Sequence, residues 1–137
     1  MKKDHLEHLT SFINEFVPRS HKKEWLKLAS FEAPQLDDIE PHDIWPENNN
    51  EIPNCTMLES NFFEFIRNEP YAKYSDNEVT VIPCGHDDNV PSTMKLKDVL
   101  DGDHYLLEGV ISIIKGKLAL LVNHDGEACI FNNLKNT

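Results

Sequence analysis

The sequence has no lysine or arginine between Lys27 and Arg67, a run of 39 residues. A segment without basic side chains cannot offset its own acidic charges, and this one contains nine of them. The nine are Glu32, Asp37, Asp38, Glu40, Asp43, Glu47, Glu51, Glu59 and Glu64. Negative charge concentrated in this way is either well solvated or faces a basic surface. The sequence therefore indicates a binding partner more strongly than it indicates a reaction.

Glycine is also scarce, with five residues in 137, and no glycine-rich loop of the kind that cradles a phosphate is present. The three cysteines, Cys55, Cys84 and Cys129, are odd in number and include no Cys-x-x-Cys pair. This spacing excludes a disulfide framework and a zinc ribbon. We expect three reduced, mostly buried thiols, no disulfide, and no bound metal or cofactor.

Long apolar runs are missing too, since none approaches the roughly 18 to 20 residues that span a bilayer. The N-terminus has two lysines with no apolar stretch behind them, so we expect no secretory signal and a soluble, cytoplasmic protein. The net charge of −11 comes from residues 31–103, which hold 17 acidic and four basic side chains. Such a chain should repel nucleic acid and anionic membranes and attract basic proteins. The oligomeric state is left open.

The length fits one domain over residues 1–137, and apolar residues at helical spacing occupy much of its first half. They predict helices over residues 4–17, 20–30 and 57–68. Pro18 ends the first helix, and Ser20 is the predicted N-cap of the second. Thr56 and Glu59 fit the capping-box pattern at the start of the third. The predicted helical core residues are Phe12, Ile13, Phe16, Trp25, Leu28, Phe62, Phe65 and Ile66.

Residues 31–55 separate the second predicted helix from the third. Their prolines exclude a regular helix or a central strand from most of the segment, so we predict a long acidic loop. A loop of this length inside a compact domain is usually functional or disordered. Four apolar residues lie inside it and should hold it against the domain surface, namely Leu36, Ile39, Ile44 and Trp45.

From Glu78 onward, β-branched and continuously apolar runs bounded by turn residues replace the helical spacing. They predict strands over residues 78–83, 104–114, 117–123 and 127–132, with one or two helical turns between Met94 and Leu100. Lys115-Gly116 and Asp125-Gly126 are the predicted turns of the last three strands. The predicted sheet core residues are Val110, Ile111, Ile113, Leu120 and Val122. The fold class is therefore α+β, with N-terminal helices packed on a C-terminal antiparallel β meander.

Cys84-Gly85-His86-Asp87-Asp88 places four metal-ligand side chains in five positions, but a closed metal site needs further ligands and none lies at a diagnostic spacing. A catalytic thiol could pair Cys84 with His86, or Cys129 with His124, yet nothing in the sequence orients either histidine. We interpret 84–88 as a polar turn and expect no enzymatic activity. A small enzyme or metal-binding protein that uses Cys84, His86 and Asp87 is the alternative.

Two further histidines, His5 and His8, stand three residues apart on the first predicted helix. We expect them on its polar face, exposed to solvent.

The candidate partner-binding face lies in the acidic loop, where carboxylates alternate with apolar residues. A tryptophan ringed by carboxylates is typical of a hot spot for a basic protein, whereas the glycine and terminal glutamate of a calcium loop are absent. A merely solvated face, an acidic adaptor and a nucleic-acid mimic fit the same charges. The predicted binding residues are Asp37, Asp38, Glu40, Asp43, Trp45, Glu47 and Glu51.

The run Tyr105-Leu106-Leu107-Glu108-Gly109-Val110-Ile111-Ser112-Ile113, followed by Gly116-Lys117-Leu118-Ala119-Leu120-Leu121, resembles strand pairs of bacterial immunity proteins. These are cytoplasmic antidotes of contact-dependent inhibition and other polymorphic toxin systems, and they are commonly small, acidic α+β proteins. The resemblance covers about a fifth of the chain. It implies a basic, nuclease-type toxin domain as the partner and carries no residue-level motif across.

Overall fold

The computed structural model describes seven stretches of the chain and builds one fold from them. The stretches are residues 2–28, 55–58, 67–68, 70–83, 91–100, 109–122 and 128–134. Helix α1 spans Lys3–Phe16 and helix α2 spans Arg19–Leu28. The first two predicted helices are thereby confirmed, apart from residues 29–30, which lie outside the described residues.

The junction between the two helices differs from the prediction at one residue. The backbone N–H groups of His21 and Lys22 donate to the carbonyl oxygen of Pro18, at 2.9 and 3.0 Å. Pro18 is therefore the residue that accepts the first hydrogen bonds of α2, and the assignment of Ser20 as N-cap is wrong. A proline fits at the start of a helix because its missing N–H would have no intrahelical acceptor there.

The described strands form one antiparallel sheet in the order β1-β6-β5-β4-β2-β3. They are β1 (Cys55–Leu58), β2 (Glu78–Pro83), β3 (Ser92–Lys95), β4 (Gly109–Ile114), β5 (Leu118–Val122) and β6 (Ala128–Asn132). Strands β4, β5 and β6 form the predicted C-terminal meander, and helix α3 (Leu96–Leu100) follows β3 directly. The α+β fold is confirmed. Gly116, at φ 71°, supplies the left-handed residue of the β4–β5 turn.

One face of the sheet carries α1 and α2. Its apolar residues alternate along neighbouring strands and form one cluster with these two helices. The sheet contributes Ile82, Val110, Ala119, Leu121, Cys129 and Phe131, and the helices with the adjoining Val17 contribute Leu9, Phe12, Ile13, Phe16, Val17 and Trp25. Four of the predicted helical core residues, Phe12, Ile13, Phe16 and Trp25, are buried here as expected. The Leu28 side chain and Phe62, Phe65 and Ile66 lie outside the described residues.

The opposite face of the sheet is also buried. Val79, Val81, Leu118, Leu120 and Ile130 belong to a second cluster, together with Tyr71, Leu96 and Val99 from the segments beside β2 and β3. All five predicted sheet core residues, from Val110 to Val122, are buried in one cluster or the other.

Two short strands were not predicted. Cys55–Leu58 pairs with β6, with Thr56 opposite Ile130, so the capping box at Thr56 and the predicted helix start at residue 57 are wrong. The acidic loop also ends before Cys55. Cross-strand pairing outweighs the local helical signal at these four residues. Residues 59–66 of the predicted helix lie outside the described residues. In the same way Met94 belongs to β3, and helical turns begin only at Leu96.

A substitution at Ile111 tests which side chains of strand β4 lie on the second face of the sheet. Ile111 is 1% exposed and lies opposite Leu120 in the middle of the sheet. Ile111→Ala is expected to lower the free energy of unfolding by about 2 to 5 kcal/mol, because it removes buried methyl groups and leaves a cavity. Chemical denaturation monitored by fluorescence measures this loss. A loss below about 1 kcal/mol would show that the strand phase is misassigned.

Candidate functional site

The predicted partner-binding residues cannot be placed in the fold. Asp37, Asp38, Glu40, Asp43, Trp45, Glu47 and Glu51 all lie between α2 and β1, outside the described residues. The predicted acidic face therefore stays a prediction. The same holds for Cys84, His86, Asp87 and His124.

The acidic residues are concentrated in one part of the sequence. Residues 31–103 contain 17 of the 24 aspartates and glutamates and four of the 13 lysines and arginines. Two lysines of the described part form ion pairs, Lys97 with Asp76 and Lys115 with Glu7, each at 3.1 Å. Exposed pairs of this kind add little stability.

A polar cluster lies between the N-terminal half of α1 and the sheet. His5 Nε2 and Thr93 Oγ1 are hydrogen bonded at 2.8 Å, and His8 Nδ1 and Ser112 Oγ at 2.7 Å. Thr93 and Ser112 each lie opposite Thr80 in strand β2. The three hydroxyls therefore form a row across β3, β2 and β4. We call His5, His8 and this row the histidine–hydroxyl cluster.

The two histidines were predicted to be exposed to solvent, and this prediction is wrong. His5 is 5% exposed and the His8 side chain is 14% exposed. The sequence did contain a signal for His5, because it continues the apolar stripe of Leu9, Phe12 and Phe16 at helical spacing. Ser112 is likewise a polar residue inside a buried apolar strand, where a hydroxyl requires a hydrogen-bond partner.

Burial sets the protonation of both histidines. It lowers the pKa of the His5 imidazole, and the nearby Lys2 lowers it further while Asp4 raises it. Burial also lowers the pKa of His8, where Asp4 acts against this shift and Lys115 adds to it. Burial therefore favours the neutral form of both side chains. Among the described residues no buried side-chain nitrogen or oxygen atom lacks a hydrogen-bond partner.

Ser112, His8 and Asp4 have the residue types of a hydrolytic triad. Two features argue against nucleophilic catalysis by Ser112 in this arrangement. Asp4 Oδ1 lies 3.9 Å from His8 Nε2, which is too far for a hydrogen bond that would orient the imidazole. Ser112 is 1% exposed beneath α1, so a substrate cannot reach its Oγ. The hydrogen bond between His8 and Ser112 attaches the helix to the sheet.

An open polar cleft of about 550 Å³ lies beside the β4–β5 turn. Its lining residues are Ser11, Asn14, Glu15, Lys115, Gly116, Lys117 and Asn133. The Asn133 side chain donates to Glu15 Oε2 at 3.4 Å, and the Asn133 N–H donates to the Lys117 carbonyl oxygen at 2.7 Å. The cleft offers hydrogen-bonding groups and charges of both signs, but its lining has no cysteine or histidine to act as a nucleophile or base.

Of the three cysteines, the structure describes two, and both are free thiols. Cys129 is buried and Cys55 is half-buried, on neighbouring strands of the helix-covered face. Burial and a hydrogen bond with Cys55 raise the pKa of the Cys129 thiol, which keeps it protonated and unreactive. Within the described stretches no group of three or more histidine, cysteine, aspartate or glutamate residues is placed to hold a metal ion.

The class that the structure defines is an α+β domain, in which the described strands form one antiparallel sheet with α1 and α2 on one face. In the described residues no helix is long and apolar enough to cross a membrane. No family model, no curated protein and no solved structure matches the chain.

Proposed function

We propose that the protein is an immunity protein that binds and neutralises a basic, nuclease-type toxin domain through an acidic surface. The observation that carries the proposal is the concentration of acidic residues in one part of the chain. Residues 28–66 hold nine acidic residues and no lysine or arginine. Even if every internal cation were paired with a carboxylate, an excess of 11 negative charges would remain for an external partner.

A basic protein suits this excess better than a small ligand does. Clustered like charges raise the encounter rate of an oppositely charged protein and suppress encounters with acidic ones. The carboxylates Asp37, Asp38, Glu40, Asp43, Glu47 and Glu51 supply this field in the proposal. Trp45 supplies the apolar anchor, since tryptophan is enriched among the residues that dominate binding energy.

The gene adjacent to this one provides the direct test, because antidotes are commonly encoded beside their toxins. The C-terminal domain of the neighbouring polypeptide is expressed in cells with and without the full-length protein. The proposal expects growth arrest by the domain alone, rescue by co-expression, and a one-to-one complex of the purified proteins. A neighbouring product that is harmless and does not bind would overturn the proposal.

Two sets of substitutions separate the effect of the carboxylates on binding from the effect of the Trp45 side chain. Asp37→Asn with Asp38→Asn is expected to slow association and weaken its salt dependence, because rim charges act mainly on encounter. Trp45→Ala is expected to speed dissociation and to weaken binding by about 2 kcal/mol or more. Surface plasmon resonance with the neighbouring polypeptide measures both rate constants.

A matched control removes two charges elsewhere. Glu15 and Asp98 are exposed acids of the described part, so Glu15→Gln with Asp98→Asn changes the net charge by the same amount. This control should leave the association rate close to that of the wild type. An equal slowing by both pairs of substitutions would mean that net charge alone matters, and that residues 36–51 are not the binding face.

If Trp45→Ala lowers the melting temperature but leaves affinity unchanged, Trp45 is a core residue of this domain.

A further inference from the structure

Helix α1 is attached to the sheet in two different ways along its length. Its C-terminal half is held by aromatic contacts, with the Phe131 ring centroid 5.4 Å from that of Phe12 and 5.1 Å from that of Phe16. Before Leu9, which is itself fully buried in the apolar core, α1 is held by the histidine–hydroxyl cluster and by the ion pair of Glu7 with Lys115. The start of the helix therefore depends on ionisable side chains, whereas apolar packing dominates from Leu9 onward.

The surroundings of the two histidines do not favour an added proton. From α1 and the residue before it, Lys2 opposes a charge on His5, while Asp4 favours it. At His8, Asp4 and Glu7 favour a charge, and Lys115 from the β4–β5 turn opposes it together with His5. The sheet contributes only uncharged hydroxyls to the contact, Thr93 and Ser112. An imidazolium could still donate to these hydroxyls, so the cost of protonation arises from burying its charge.

We propose that the histidine–hydroxyl cluster is an acid-sensitive latch, in which protonation of His5 and His8 releases the start of α1, up to His8, from strands β3 and β4. The aromatic contacts keep Phe12 and Phe16 on the sheet at the same pH. The latch is a local opening of the native protein and requires no global unfolding.

The direction of the pH dependence follows from linkage. Because burial lowers the pKa of both histidines in the attached state, the released state binds more protons below the ordinary histidine pKa of about 6.5. The attachment is therefore complete above about pH 6.5 and weakens as the pH falls below it. Each histidine changes the equilibrium constant for opening by up to about tenfold per pH unit.

Amide hydrogen exchange on the full chain measures the opening. Protection factors, corrected for intrinsic exchange, are compared for the amides of residues 7–10 and of residues 13–16. The pH is varied from about 7.5 to about 5, a range in which aspartate and glutamate side chains remain mostly ionised. Protection at residues 7–10 is expected to fall by about tenfold to 100-fold over this range. Protection at residues 13–16 is expected to stay within about threefold, since aromatic contacts do not titrate.

Glutamine variants identify the groups responsible. His5→Gln with His8→Gln keeps hydrogen-bonding side chains but cannot take up a proton in this range, so the pH dependence at residues 7–10 should disappear. His21→Gln, on α2, is the matched control and should leave it intact. A wild-type protection that does not change with pH would overturn the proposal, as would a double variant with undiminished pH dependence. An NMR titration of wild-type His5 and His8 is a second test, and a pKa of 6.5 or above for both would also overturn it.

Discussion

Replacing Phe131 by alanine is expected to lower the free energy of unfolding by about 3 to 5 kcal/mol. Phe131 is fully buried on strand β6, beside strands β1 and β5. Its ring meets Phe12 edge to face, at an interplanar angle of 88°, and contacts Phe16 as well. The substitution removes apolar area and two aromatic pairs at once, and aromatic pairs add about 0.5 to 1.5 kcal/mol beyond area burial.

Urea denaturation monitored by circular dichroism measures the Phe131→Ala effect. The control is Leu26→Ala, because Leu26 is 40% exposed on α2 and surface changes usually stay within about 0.5 kcal/mol. A loss at Phe131 no larger than at Leu26 would show that the aromatic cluster does not hold α1 on the sheet.

The second large effect concerns the acidic segment between α2 and β1. Neutralising its six carboxylates is expected to slow association with the proposed basic partner by about tenfold to 100-fold at low salt, since electrostatic steering raises association rates by 10- to 1000-fold. The substitutions are Asp37→Asn, Asp38→Asn, Glu40→Gln, Asp43→Asn, Glu47→Gln and Glu51→Gln. The dissociation rate should change less, because Trp45 remains in place.

The six-carboxylate variant must be shown to fold before its binding is interpreted. Circular dichroism and the denaturation midpoint are expected to match the wild type or to show slightly higher stability, because like charges concentrated in one segment repel one another. If a correctly folded variant keeps full affinity and rate, the interface lies elsewhere on the protein, and the Glu69 to Asp88 stretch is the next candidate.

The helices and strands that the sequence predicts correctly are those whose burial is visible in the apolar pattern of their own residues. Helix α1 has a complete apolar stripe, and β4 and β5 are buried on both faces and therefore read as continuous apolar runs. The switch from helical spacing to β-branched runs near Glu78 placed β2 correctly. In these segments local preference and tertiary packing agree, so the sequence pattern is sufficient.

The strands that were missed are short, and their pairing comes from distant residues. Strand β1 has four residues, and it is stabilised by β6 more than 70 positions later in the chain. Strand β3 reads Ser-Thr-Met-Lys, with no buried residue to indicate a strand, and lies beside β2. Such edge strands carry little apolar signal of their own.

The histidine–hydroxyl cluster shows a different limit of pattern reading. By polarity alone, histidine is predicted to face solvent, although His5 and His8 lie three residues apart against a row of hydroxyls from three strands. Recognising the cluster requires knowing that Thr93, Thr80 and Ser112 become neighbours in the sheet. Spacing along the chain gives no indication of this.

The salt dependence of association is the most direct measurement of whether the protein is an acidic inhibitor of a basic partner. The association rate constant of the wild type with the neighbouring gene's polypeptide is measured from about 0.01 M to about 1 M salt, over which the Debye length falls from about 30 Å to about 3 Å. The rate is expected to fall at least about tenfold over this range for the wild type and to stay nearly flat for the six-carboxylate variant. Equal rates for the two proteins at every salt concentration would contradict the proposed function of the acidic segment.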